Sequence, residues 1–238
     1  SRAVRTPARG EHGVTLRLLP PPAQDPGVPL YAVGNTQFES ENLTAYELGY
    51  RVNRGNRWSL DLTVFYNEYD ELRTLDPAGM PPADILLPFD NRMEGETYGI
   101  ELAAQWQVQP GWDVHASYSY LGTFLHLVNG SNDSAAESGE ESAPQQQAAV
   151  WSSFELGRNL EFDVALRHVD DISINGVEVD GYTELDLRLG WIPRTSMEIS
   201  LTGQNLLDSQ HTEFLPDFIA TQPTDVERSI HVKGIWKF

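Results

Sequence analysis

The sequence predicts an all-β fold: a transmembrane, antiparallel, up-and-down β-barrel. Three observations predict it. Apolar residues recur at every second position in segment after segment, short Gly/Pro/Asn turns alternate with long polar connections, and tryptophans and tyrosines sort to opposite ends of the segments. A period of two marks a strand with one apolar face. In a barrel within lipid, that face points outward.

Ser1 to Arg5 read as the end of a strand that enters a long Pro-rich loop at 6–41. The first full strand carries Tyr46, Leu48, Tyr50 and Val52 on one face, and the second carries Trp58, Leu60, Leu62, Val64 and Tyr66. Next come Tyr98, Ile100, Leu102, Ala104, Trp106 and Val108, then Trp112, Val114, Ala116, Tyr118 and Tyr120. Ala148, Val150, Phe154 and Leu156 follow, interrupted by Ser152, and then Leu160, Phe162, Val164 and Leu166. The last three are Leu185, Leu187, Leu189 and Trp191; Met197, Ile199 and Leu201; and Ile230, Val232, Trp236 and Phe238. These make nine strands, and no stretch shows a convincing helical pattern.

The connections alternate as the faces do. Short turns fall at Asn53–Asn56, Pro110–Gly111, Arg158–Asn159 and Pro193–Thr195, and longer polar segments at about 73–92, 125–145, 170–181 and 208–225. Short turns on one side and long loops on the other are the layout of a bacterial outer-membrane barrel. Trp58, Trp106, Trp112, Trp191 and Trp236 all belong to the apolar face near a short turn or the C-terminus. They predict a membrane aromatic belt at one water–lipid boundary. Tyr46, Tyr66, Tyr98 and Tyr120 lie toward the long-loop ends and predict the upper girdle. A soluble sandwich predicts strands of about 5–6 residues, whereas several here run for the ~9–11 that cross a tilted bilayer path.

Composition narrows the function. The 238 residues contain no cysteine, which excludes disulfides and thiolate metal sites. A formal charge of −19 disfavours nucleic acid, whose phosphates require Lys and Arg clusters. The mean hydropathy of −0.39 describes alternating strands as well as a soluble chain. No G-x-S-x-G elbow, H-E-x-x-H, P-loop or dinucleotide-binding glycine run is present. No enzyme activity and no cofactor is therefore expected. The six histidines lack ligand-like spacing.

Glu47, Arg51, Asp61, Glu101, Asp113, Glu155, Asp163, Arg167, Glu184, Asp186, Arg188, Lys233 and Lys237 take the inward parity. Such a mixed-charge lumen either lines a solute path or pairs across strands. The acidic stretch 131–142 captures a cation or is a solvated loop, and the acids Asp170, Asp171, Glu178 and Asp180 admit the same two readings. Trp236 and Phe238 end an amphipathic strand on aromatics, a pattern resembling the signal by which barrel-assembly machinery recognises its clients.

With these elements in order, the local sequences resemble TonB-dependent outer-membrane receptors. The resemblance lies in SRAVRTP at 1–7, ENLTAYELGYR at 41–51, FYNEYDELRT at 65–74, GETYGIELAAQW at 95–106, GYTELDLRLGW at 181–191 and ERSIHVKGIWKF at 227–238. LTGQNLLDSQHTEF at 201–214 is the most specific match, to the family's penultimate strand and its Asn-Leu-Leu-Asp turn. The resemblance implies a barrel of about 22 strands, closed inside by an N-terminal plug that this chain lacks. Residues 1–41 would be a strand end with its extracellular loop, and 42–238 nine C-terminal strands. It also implies energised uptake of a ferric siderophore, cobalamin, another metal complex or a glycan. The partners would be the TonB–ExbB–ExbD complex acting through the plug, outer-membrane lipid and the assembly machinery. Ligand contacts from this part are expected at the loop tips, with Arg5, Arg73, Arg92, Asp133 and Asp170 as candidates. The alternatives are a passive porin-like channel and an adhesion or recognition barrel.

Overall fold

The structure, a computed structural model, describes residues 1–18, 28–55, 57–78, 84–133, 135–216 and 222–238. Asn56 of the first short turn and parts of four long connections lie outside the described residues.

The strands in chain order are β1 (Arg2–Arg5), β2 (Thr15–Leu18), β3 (Leu30–Val33), β4 (Glu41–Arg54), β5 (Trp58–Leu75), β6 (Ile85–Gln109), β7 (Trp112–Leu127) and β8 (Gln146–Leu156). They continue as β9 (Leu160–Val169), β10 (Ile172–Ile174), β11 (Val177–Val179), β12 (Tyr182–Arg194), β13 (Met197–Gln204), β14 (Gln210–Thr212), β15 (Asp225–Glu227) and β16 (Ser229–Trp236). Ten of them form a continuous antiparallel wall in the order β1-β4-β5-β6-β7-β8-β9-β12-β13-β16. All nine strands read from alternation are in it, with the opening strand end as the tenth. Among the described residues β1 and β16 do not pair with each other, so the wall is an open arc.

Register confirms the faces. Trp58 stands opposite Trp106, and Tyr66 opposite Tyr98. Tyr46 stands opposite Tyr66, with ring centroids 6.3 Å apart, and Tyr98 and Tyr120 are 6.1 Å apart. The tyrosines thus form one row across four strands. Gly122 is needed in that row, because a Cβ there would lie 2.6 Å from the Tyr98 ring. Trp58 and Tyr66, Trp106 and Tyr98, and Trp112 and Tyr120 are each eight residues apart. At ~3.3 Å per residue and a tilt near 40°, the two aromatic levels stand about 20 Å apart, close to the height of an outer-membrane apolar band. Between them the outward apolar side chains are exposed, with Leu48 at 73% and Val232 at 71%. Ser152, the interruption in the apolar face, accepts a hydrogen bond from the Trp112 indole N–H at 2.9 Å.

Above the tyrosine row the structure corrects the expectations. The loop expected at 73–92 is largely sheet, since β5 runs nine residues past Tyr66 and β6 starts thirteen before Tyr98. A bulge at Glu71, with φ of 59°, shifts the register between Tyr69 and Leu72 and breaks the alternation that the reading relied on. The loop 6–41 contains a helix α1 (Arg9–Gly13) and the hairpin β2–β3, and β3 pairs in parallel with the start of β6. A 3₁₀ turn spans Ala136–Glu141. These two helical turns, unpredicted, are too short to show a 3.6-residue pattern. The segment 170–181 holds the β10–β11 hairpin, turned at Asn175–Gly176 with both φ positive, and 208–225 holds the β14–β15 pair.

The one hydrophobic core cluster of the described residues lies in this upper part. Ala32, Phe38 and Phe89 are buried, with Leu18 and Leu75 packed against them, and Phe38 meets Phe89 edge-on at 6.2 Å.

Candidate functional site

Two surfaces could meet a ligand: the inward face of the wall, and the folded head above it. On the inward face, arginines pair with carboxylates across strands. Arg51 binds its register partner Asp61. Arg167 Nη2 lies 2.8 Å from Glu184 Oε2, its partner on β12. Arg188 reaches three acids, Asp163 at 2.7 Å, Glu161 at 3.0 Å and Glu198 at 2.7 Å. Partly exposed pairs of this kind contribute roughly 0–1 kcal/mol each, so they fix side-chain direction more than they hold the wall together. Glu47, Glu101, Asp113 and Glu155 form no ion pair among the described residues. Arg51, Asp61, Thr63, Glu101, Ser117, Ser119, Gln147 and Arg167 line a trough of about 460 Å³ on this face. Near its lower end the sixth tryptophan, Trp151, stacks on His115 at 5.2 Å, turned inward.

At the upper rim the connection between β13 and β16 folds back onto the wall. The His211 ring stacks on Tyr182 with centroids 4.0 Å apart, and the Arg167 guanidinium sits 5.1 Å from that tyrosine ring. Glu213 takes Arg167 at 2.7 Å and His211 at 3.4 Å. Burial pushes the Glu213 carboxyl up, but hydrogen bonds from Tyr182, His211 and Arg167 outweigh it and hold the group below the usual carboxylate range. Asn205, with φ of 51°, anchors the base of this connection. It is fully buried, its backbone N–H donates to Asp186 and its side-chain amide donates to Val226 O.

In the head, Glu11 is the hub. Its side chain is 7% exposed, pairs with Arg5, accepts from the Ala8 N–H at 2.6 Å and lies 3.6 Å from Arg73. Burial raises its pKa, but the Arg5 hydrogen bond, the Ala8 N–H and the two arginine charges more than reverse this, leaving it below the ordinary glutamate value. Asp76 is a second hub. It accepts from the Asn132 N–H at 2.6 Å, Ser131 Oγ at 2.8 Å and Thr74 Oγ1 at 2.8 Å. These bonds outweigh its burial and hold its carboxyl below the usual aspartate value.

The candidate residues therefore fall as follows. Arg5 ends β1 and is held by Glu11 and Glu41. Arg73 and Arg92, expected at loop tips, lie within β5 and β6. Arg73 stands 5.9 Å from the Phe89 ring, and Arg92 pairs with Asp90 at 2.7 Å and donates to Gly130 O. Asp133 accepts from the Leu75 N–H at 2.6 Å. Asp170 lies 3.3 Å from His168 Nε2. Each is occupied by a contact inside the chain. Trp58, Trp106, Trp112 and Trp191 lie near the short-turn ends of their strands; Trp236 pairs with Met197 at the end of β16, and Phe238 is fully exposed. Glu11 and Asp76 went unnoticed in the sequence, and His211 was set aside with the other histidines for want of ligand-like spacing; contacts to Arg73, Asn132 and Tyr182, far along the chain, complete their surroundings. Among the described residues no three His, Asp or Glu side chains are placed to hold a metal ion.

Similarity to known proteins agrees with this geometry. The family described as TonB dependent receptor-like, beta-barrel, matches residues 1–206. Among solved structures the chain is similar to the ferric-catecholate import receptor Fiu from E. coli K12, with a TM-score of 0.69 and 15% identity over 86% of this chain and 29% of Fiu. It is also similar to the FrpB iron transporter from Neisseria meningitidis, with a TM-score of 0.67 and 16% identity over 89% of this chain and 33% of FrpB. The copper transporter OprC matches with a TM-score of 0.66 and 18% identity over 100% of this chain and 36% of OprC. The chain thus spans about a third of the length of these structures. With its ten-strand wall, two aromatic levels and charged inner face, the chain belongs to the TonB-dependent receptor β-barrel family and is a protein of the Gram-negative outer membrane.

Proposed function

We propose that this chain is the C-terminal part of a receptor barrel that imports a scarce, bulky ligand by TonB-dependent, energised transport. The supporting observation is an amphipathic wall, apolar and exposed outside, carrying charges inside, beneath a folded head. In this reading the head and upper rim receive the ligand outside the cell. The free inward carboxylates Glu47, Glu101, Asp113 and Glu155 face a plug domain within the barrel, through which the TonB–ExbB–ExbD complex acts. Residues 1–41 supply a strand end and its extracellular loop, and 42–238 supply nine membrane strands. The chain binds and passes its ligand without chemical change. Ferric siderophores, cobalamin, other metal complexes and glycans are the ligand classes to test.

The experiment is uptake of ⁵⁵Fe-labelled ferric siderophores and ⁵⁷Co-cobalamin by cells expressing the full-length receptor, with and without TonB. Uptake of one probe that requires both the receptor and TonB is expected. Receptor-dependent uptake that continues at the same rate without TonB would overturn energised import in favour of a passive channel.

A further inference from the structure

The head raises a physical problem that the membrane wall does not. The hairpin β2–β3 has four residues per strand, and α1 has five residues. A lone hairpin is marginal in water, and a helix of that length does not pay its nucleation cost. Their order has to come from contacts with one another and with the β5–β6 extension.

Those contacts form a closed set. Glu11 on α1 joins Arg5 at the end of β1 to Arg73 on β5. β3 adds to the edge of β6 in parallel, with Ala32 opposite Leu87, and Ala32 packs with Phe38 and Phe89. Asn35 Nδ2 donates to Phe89 O at 2.9 Å, and Asn91 bonds both Glu39 and the bulged Glu71. Asp76 and Asp133 hold the turn at 128–133 to the end of β5. Gly34 passes so close to Gly13 that a Cβ on Gly34 would lie 2.8 Å from the Gly13 Cα.

We propose that α1, β2–β3, the β5–β6 extension and the turn 128–133 are one cooperative unit. It opens as a whole, separately from the membrane strands, and presents the mouth with a fixed platform in place of independently moving lids. A fixed platform lowers the ordering cost of ligand capture. The proposal concerns the fold of the head and holds whether or not the receptor imports a ligand.

The test is hydrogen exchange on the full-length, ligand-free receptor in detergent micelles, comparing wild type with Glu11→Gln and Asp76→Asn. These variants strike the unit from opposite ends. Each is expected to speed exchange by on the order of tenfold or more in α1, β2–β3, residues 85–93 and 128–133 together, with 98–106 unchanged. Acceleration confined to α1 in Glu11→Gln, or to 128–133 in Asp76→Asn, would overturn the proposal and leave separate loops. Acceleration spreading equally into 98–106 would also overturn it, by showing that the head is not distinct from the wall.

Discussion

The wall and the head are built from the same strands but stabilised by different physics. Between the two aromatic levels, β5 and β6 bury little: their outward side chains face lipid and their inward ones face polar surroundings. Eight and nine residues beyond the tyrosine level, the same two strands carry Thr74 at 1% exposure and Phe89 at 5%. Lipid supplies the apolar surroundings below, whereas above the membrane the protein must supply its own. A strand that leaves the bilayer therefore needs a core, and Leu18, Ala32 and Phe38 help provide it.

The sharpest test of that difference is to remove the head's largest apolar anchor. Phe89→Ala is expected to cost the head about 3–5 kcal/mol, because Phe38, Ala32 and Leu75 lose their partner together. Hydrogen exchange should report loss of protection in β2–β3 with the membrane strands intact. A variant as well protected in the head as wild type would mean that the cluster does not hold the head.

A paired substitution probes the wall. Leu62 and Thr63 are neighbours on β5 at mid-height, one facing lipid and the other lining the inner trough. Leu62→Arg places a charge against hydrocarbon and is expected to cost about 2–4 kcal/mol, while Thr63→Arg should cost close to nothing. Urea titration of the full-length receptor refolded in lipid vesicles measures both. Equal costs would contradict the assignment of faces.

The same contrast explains what could be read in advance. Alternation is legible where two faces of a strand meet different media, and that holds from Trp58 to Tyr66 and from Tyr98 to Trp106. Above Tyr66 both faces meet water or protein, and register shifts between Tyr69 and Leu72 and between Leu72 and Thr74 break parity, so 73–75 and 85–92 read as loop. The head's key acid sits in RGEHG, a stretch with no pattern of its own, and of its two arginine partners Arg5 is six positions away and Arg73 is 62. Arg73 was invisible as an ion-pair member for the same reason, whereas Arg5 and Arg92 find carboxylates nearby in the chain, at Glu11 and Asp90, that only the fold brings into contact. Residue type marks an arginine as an anion ligand, but only the tertiary structure shows that a carboxylate has already taken it.

Acid should separate the two regions next. Glu11 and Asp76 have pKa values below their ordinary ones in the folded head. Their stabilisation is therefore complete above the unfolded values, near ~4, and is lost as pH falls from there through the folded values. Exchange in the head, corrected for its intrinsic pH dependence, should accelerate below about pH 4 while residues 98–106 stay protected. Glu11→Gln should remove part of that acid sensitivity. A head whose protection is independent of pH down to about 3 would show that these carboxylates do not hold it.

The smallest effect belongs to Ser152, the one polar residue in the outward row of β8 between Ala148 and Leu156. Ser152 stands in a band of Val150, Phe154 and, directly across the ladder, Val114, with Trp112 diagonal to it beside Phe154. Its hydroxyl gives the Trp112 indole N–H a partner inside the band, while the ring stacks on Phe154 at 5.2 Å. Ser152→Ala removes that acceptor but adds an apolar side chain on a lipid-facing surface, so the two terms offset. The expected change in stability is under about 1 kcal/mol. The orientation of the ring should change more than the stability, because an indole without its internal partner turns toward interfacial water to find another. In a receptor carrying Trp112 as its single tryptophan, Ser152→Ala should shift the emission maximum to longer wavelength and lower the anisotropy. An unchanged spectrum would mean that stacking on Phe154 alone sets the ring, and that the hydroxyl has no part in the belt.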